Sequence, residues 1–89
     1  MTLDRWSKFS RREQFLFIDS ELERARAWQG KDEALFRSAL ERALGLVDLT
    51  IQVPLDKVEL LQILTLRNEI ARFYVGDRGD SIVILSHAL

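Results

Sequence analysis

The stretch Asp56-Lys57-Val58-Glu59-Leu60-Leu61-Gln62-Ile63-Leu64-Thr65-Leu66-Arg67-Asn68-Glu69-Ile70-Ala71-Arg72-Phe73-Tyr74-Val75-Gly76 decides the fold of this chain. Its first four residues have the spacing of a capping box: the aspartate accepts from a free helix N–H while the glutamate reaches back to the aspartate's own. Leu55 and Leu60 stand at the two positions of a hydrophobic staple. Gly76 supplies a C-terminal stop. The stretch therefore predicts a helix over about 57–75. Its apolar residues Leu60, Leu61, Ile63, Leu64, Leu66, Ile70, Ala71, Phe73, Tyr74 and Val75 cover roughly two-thirds of the circumference, where a stripe of about 100° would serve to pack on two other helices. The surplus needs another cover, from the C-terminal tail or from a second subunit. Leu61, Leu64, Ile70, Phe73 and Tyr74 are the candidate interface anchors. Arg67, polar inside the apolar arc, is predicted to snorkel or to pair with a carboxylate across a subunit interface.

Two more helices precede this one. Ser10-Arg11-Arg12-Glu13 is another capping box, and Phe15, Ile18, Leu22 and Ala25 follow at helical spacing, flanked by Phe17 and Trp28. Gly30 stops that helix near Gln29, giving a span of about 10–29. The next runs over about 32–48 on a stripe of Phe36, Leu40, Ala43 and Val47, widened by Leu35, Ala39 and Leu44. Glu33 and Arg37, four apart, are expected to pair on its solvent face, and Gly45 weakens its last turn. The short connection at Gly30 predicts an antiparallel hairpin. Leu49-Thr50-Ile51-Gln52-Val53-Pro54 is read as an extended connector, since Pro54 disfavours helix at Val53. The expectation is an all-α single domain over residues 1–89, a three-helix up-down bundle with a short tail at 77–89. In the tail, Ile82-Val83-Ile84 favours a strand, but no partner strand is in sight. A short helix capped by Asp80 or Ser81 is the preferred reading.

Composition narrows the function classes. The 89 residues carry 13 Lys+Arg against 14 Asp+Glu, a net charge of −1, which argues against a nucleic-acid binder that relies on counterion release. Zero cysteines exclude a disulfide framework, a thiolate zinc site and a cysteine nucleophile. The N-terminal run is charged where an export signal needs an apolar core. The longest apolar runs, such as Phe15–Ile18 and Ile82–Leu85, fall far short of the about 20 residues that span a bilayer. The expected location is the cytoplasm.

Several blocks carry a resemblance. The run Ala39-Leu40-Glu41-Arg42-Ala43-Leu44-Gly45-Leu46-Val47-Asp48-Leu49-Thr50-Ile51 is one. Ser20-Glu21-Leu22-Glu23-Arg24-Ala25 with Trp28, and Glu59-Leu60-Leu61 with Leu66-Arg67, are the others. Together, over roughly residues 10–77, they resemble a family of short, uncharacterised prokaryotic all-helical proteins. That family has no assigned activity, so the resemblance implies no catalytic residues. Residues 81–89 depart from it, being short and aliphatic where the family continues into a longer polar and aromatic helix. Gly30-Lys31-Asp32-Glu33-Ala34-Leu35 with Glu41-Arg42-Ala43-Leu44 is also similar to a tetratricopeptide helix pair. One unit makes no solenoid, and any tight helical hairpin wants small residues there.

Candidates for chemistry are few. Asp19 and Glu23, four apart, could share a metal or a proton, but ordinary surface charge explains them as well. Helical carboxylate metal sites want Glu-x-x-His or convergent Glu-x-x-Glu pairs, which this chain lacks. His87, the single histidine, has Ser86, Ser81 and Asp80 nearby in sequence, without an orienting third group. Arg78-Gly79-Asp80 spells an integrin-recognition tripeptide, for which a turn after a helix stop is the simpler explanation. Arg11, Arg12, Arg24, Arg26, Lys31, Arg37 and Arg42 could form a basic face on the first hairpin, but acidic residues are interleaved among them. Trp6 and Trp28 read as packing or interface anchors.

The sequence thus predicts a non-enzymatic interaction or homo-oligomerisation module, with no catalytic, metal or cofactor-binding residue. Its expected partners are a second copy of itself and another protein, with no membrane. The alternative is an accessory subunit that touches nucleic acid through the Arg-bearing hairpin.

Overall fold

The computed structural model describes residues 1–86. Three long helices, α2 (Arg11–Trp28), α3 (Glu33–Gln52) and α4 (Lys57–Tyr74), form a three-helix bundle, with one-turn helices α1 (Leu3–Trp6) and α5 (Val83–Ser86) at its ends. The start signals work as the sequence predicts. Glu13 N–H donates to Ser10 Oγ over 3.1 Å while Ser10 N–H donates to Glu13 Oε1 over 2.9 Å. At α4, Glu59 N–H donates to Asp56 Oδ1 over 2.8 Å, and Asp56 N–H returns to Glu59 Oε1 at 3.4 Å. Asp32 caps α3 by accepting from Leu35 N–H at 3.0 Å.

The stops follow the glycines. Gly30 and Gly76 have φ of 77° and 81°, the left-handed region that costs glycine least. Beyond Gly76, Asp77 N–H donates to the Arg72 carbonyl and Gly76 N–H to that of Phe73, so α4 ends in a Schellman motif.

The second long helix is longer than expected. Residues 49–52, read as extended connector, are the last turn of α3. Thr50 falls three residues after Val47 on the same face, and both are fully buried. Its hydroxyl donates to the Leu46 carbonyl over 2.9 Å, which satisfies a buried polar atom inside the helix. Packing therefore overrides the β-branched character of Thr50 and Ile51. Pro54 acts one residue later than that, holding Val53 extended at φ −86°, ψ 157°.

Helix α3 is the central element. α2 packs along one side of it and α4 along another, both far more than on each other, while α1 lies on α3 and α5 bridges α2 and α4. Arg11 at the start of α2 meets Glu59 at the start of α4, so these two helices run in the same direction. The core takes Ile18, Leu22 and Ala25 from α2, and Phe36, Ala39, Leu40, Ala43 and Val47 from α3. Ile63, Leu66, Ile70 and Phe73 come from α4, with Trp6, Ile82 and Leu85 closing the ends. The tail is irregular over residues 77–82 and helical only in the single turn Val83–Ser86; His87, Ala88 and Leu89 lie outside the described residues. The expected Glu33–Arg37 pair does not form. The Arg37 guanidinium lies 4.6 Å over the Tyr74 ring of α4, where a face of negative potential receives it.

Candidate interaction surface

Helix α4 has two apolar faces, and only one is used inside the subunit. Ile63, Leu66, Ile70 and Phe73 point into the core. Val58, Leu61 and Leu64, spaced three apart, are 65%, 56% and 43% exposed. The structure thus corrects two of the expected interface anchors: Ile70 and Phe73 are core residues, because α3 occupies that side of the helix. Tyr74 is half-buried, and its hydroxyl donates to Glu41 Oε1 over 2.6 Å, committing it to α3. Arg67 neither snorkels alone nor waits for another subunit. Its Nε donates to Asp48 Oδ1 of α3 over 2.6 Å, and that hydrogen bond raises the guanidinium pKa. Leu61 and Leu64 remain as free aliphatic surface. Val58 joins them; its place in the first turn, between the two capping residues, hides its surface role in the sequence.

Leu61 also stands at the mouth of a groove between α2 and α4. The space, about 400 Å³, is lined by Phe15, Leu61, Ile63, Leu66 and Leu85 of α5, with the polar Gln62, Thr65 and Glu69 among them. Among the described residues no group of three metal-ligating side chains converges. Glu23, one of the two carboxylates four apart on α2, pairs with Arg26 at 3.7 Å.

The arginines of the first hairpin are largely committed. Arg24 and Arg42 both grip the buried Glu21 carboxylate, at 2.8 and 2.9 Å. Arg11 pairs with Glu59 and donates to the Pro54 carbonyl. The Arg78-Gly79-Asp80 tripeptide is a closed fork, with Arg78 Nε and Nη2 donating to the two Asp80 oxygens over 2.8 and 2.9 Å. Hydrogen bonding within this fork raises the Arg78 pKa and lowers that of Asp80. A tripeptide used this way is a structural turn. His87, and with it any serine–histidine pair, lies outside the described residues. Trp6 is wholly buried, packing its ring on Phe9 and Phe17, whereas Trp28 is exposed.

Among the described residues, no helix is long and apolar enough to cross a membrane. No protein-family model, curated protein or solved structure matches this chain. The resemblance to short prokaryotic helical proteins therefore rests on its sequence blocks alone.

Proposed function

We propose that this protein is an interaction module that associates with a second copy of itself through the outer face of α4, and that it has no catalytic role. The observation that carries this reading is the unused stripe of Val58, Leu61 and Leu64 on a helix whose other face already fills the core. Three aliphatic side chains on one face, rimmed by Lys57, Arg67 and Asn68, suit helix-on-helix burial with a polar rim. Nucleic acid is the weaker reading, because Arg11, Arg24, Arg26 and Arg42 already face carboxylates.

Sedimentation velocity across a concentration series tests it. The native chain should form a dimer or larger species that Leu61→Glu shifts to monomer, with an unchanged helical spectrum. A native chain that stays monomeric at every concentration, or a variant that sediments as the native chain does, would reject the α4 interface.

A further inference from the structure

Residues 77–86 fold back across the gap between α2 and α4, two helices that pack on α3 rather than on each other. Arg72 Nε donates to Asp77 Oδ2 over 3.3 Å at the start of this strap, and further attachments hold the rest. The Gln29 amide, at the end of α2, grips its backbone twice: Nε2 donates to the Asp80 carbonyl and Oε1 accepts from Ile82 N–H, both over 2.7 Å. Arg78 reaches Glu69 of α4 as well as Asp80, with its guanidinium 4.8 Å over the Phe73 ring. Ile82 and Leu85, three residues apart, are buried against the bundle. Leu85 also lines the adjoining groove, whose walls among the described residues are Phe15, Leu61, Ile63 and Leu66 with the polar Gln62, Thr65 and Glu69.

We propose that the strap is an internal competitor for this cleft, and that the ligand it competes with is an amphipathic helix carrying aliphatic side chains three and four residues apart. The strap itself argues for that occupant. The cleft already accepts Ile82 and Leu85 on a helical turn, and the groove beside it sets Leu61, Ile63 and Leu66 next to polar Gln62, Thr65 and Glu69, the mixed lining that an amphipathic helix fits. A longer helix with the same pattern fills both parts. The strap leaves α4 at Gly76, whose left-handed φ of 81° turns the chain back across the bundle. Its polar attachments are individually modest. While closed, it lowers the apparent affinity for an outside helix in proportion to the fraction of open chains. Leu61 belongs to both the cleft and the outer stripe of α4, but the inference does not rest on self-association, since Ile82, Leu85 and Gln29, which the test changes or reads, lie outside that stripe.

The test uses the full chain and, as probe, a fluorescein-labelled peptide of the chain's own residues 77–89, read by fluorescence anisotropy. Ile82→Asp prevents the chain's own strap from seating, and this variant should bind the peptide at least about tenfold more tightly than the native chain does. Ile82→Ala, the smaller change at this buried position, should fall between them. Adding Gln29→Ala to Ile82→Asp removes two hydrogen bonds from the seat and should weaken the peptide about tenfold, locating it there. Circular dichroism reports whether each variant is folded; if Ile82→Asp is not, Ile82→Ala decides, with Gln29→Ala added to it. Equal affinity for native and strap variants, or no binding to a folded strap variant, overturns the proposal.

Discussion

Trp6 Nε1 donates to Thr50 Oγ1 over 3.0 Å, joining the N-terminal turn to the last turn of α3 in the interior of the protein. The bond is one link of a chain, since the Thr50 hydroxyl passes its own hydrogen to the Leu46 carbonyl. On the other side, the Gln14 amide donates to the Trp6 carbonyl over 2.9 Å. Both Trp6 and Thr50 are fully buried, so neither can exchange this bond for one to bulk water. Trp6 is the one residue of the first nine that is buried in the core, with Phe9 packed partly against it, so this side chain docks the N-terminal turn on the last turn of α3, which runs helical through Gln52.

Thr50→Val tests that link with almost no change of shape. It leaves the Trp6 indole N–H buried without its acceptor, and should cost about 1–3 kcal/mol of stability. Trp6→Ala, which also opens a cavity, should cost about 3–5 kcal/mol. Urea denaturation followed by circular dichroism measures both. A Thr50→Val chain as stable as the native one would mean that the N-terminal turn is not docked in this way.

The two faces of α4 should respond oppositely to substitution. Phe73→Ala removes a ring from the core and should cost about 3–5 kcal/mol. Leu64→Ser changes exposed surface and should stay within about 0.5 kcal/mol for the isolated subunit. Thermal unfolding of dilute samples gives the comparison. A large loss from Leu64→Ser at dilution would place that side chain inside the subunit.

The first-turn cap of α2 is a third handle. Ser10→Ala removes the hydroxyl that accepts from Glu13 N–H and should lower stability by about 1 kcal/mol. The loss should appear as faster amide exchange that is greatest in the first turn of α2, while the amides of α4 that exchange through local opening keep their rates. Uniformly faster exchange would instead show that this cap governs global unfolding.

Much of the fold was legible because its signals are local. Ser10 with Glu13, Asp56 with Glu59, and the glycines at 30 and 76 each act within a few residues, so their spacing alone places the helix ends. What escaped the sequence depends on contacts distant along the chain. The helicity of residues 49–52 comes from Trp6, more than forty positions away. Arg67 found Asp48 on α3, and Arg37 found Tyr74 instead of Glu33, because neighbouring helices present partners that no helix-internal spacing encodes. The candidate surface divides the same way. Helical periodicity shows that α4 has more apolar face than one contact needs, but not which part α3 covers. That is why Leu61 and Leu64 stayed outside while Ile70 and Phe73 went in.

Acid should loosen this protein at two places first. The Glu13 carboxyl is held below its ordinary pKa by the Ser10 backbone N–H, then by the Ser10 hydroxyl, and Asp80 is held down by its bonds from the Arg78 guanidinium. A carboxylate with a depressed folded pKa adds stability that is complete above its unfolded value, about 4, and is lost as the pH falls through the folded value. Both contributions should therefore be constant near neutrality and fade below about pH 4. Glu13→Gln and Asp80→Asn should each lower stability at neutral pH and flatten its acid dependence, so that the native and variant curves converge in acid. Asp80→Asn should also speed exchange of the Ile82 amide at neutral pH, because the fork anchors the strap beside the Gln29 grip. Thermal midpoints measured from neutral pH into acid, for the native chain and both variants, decide the matter. Curves that run parallel down to the lowest pH would show that neither carboxylate supplies the acid response.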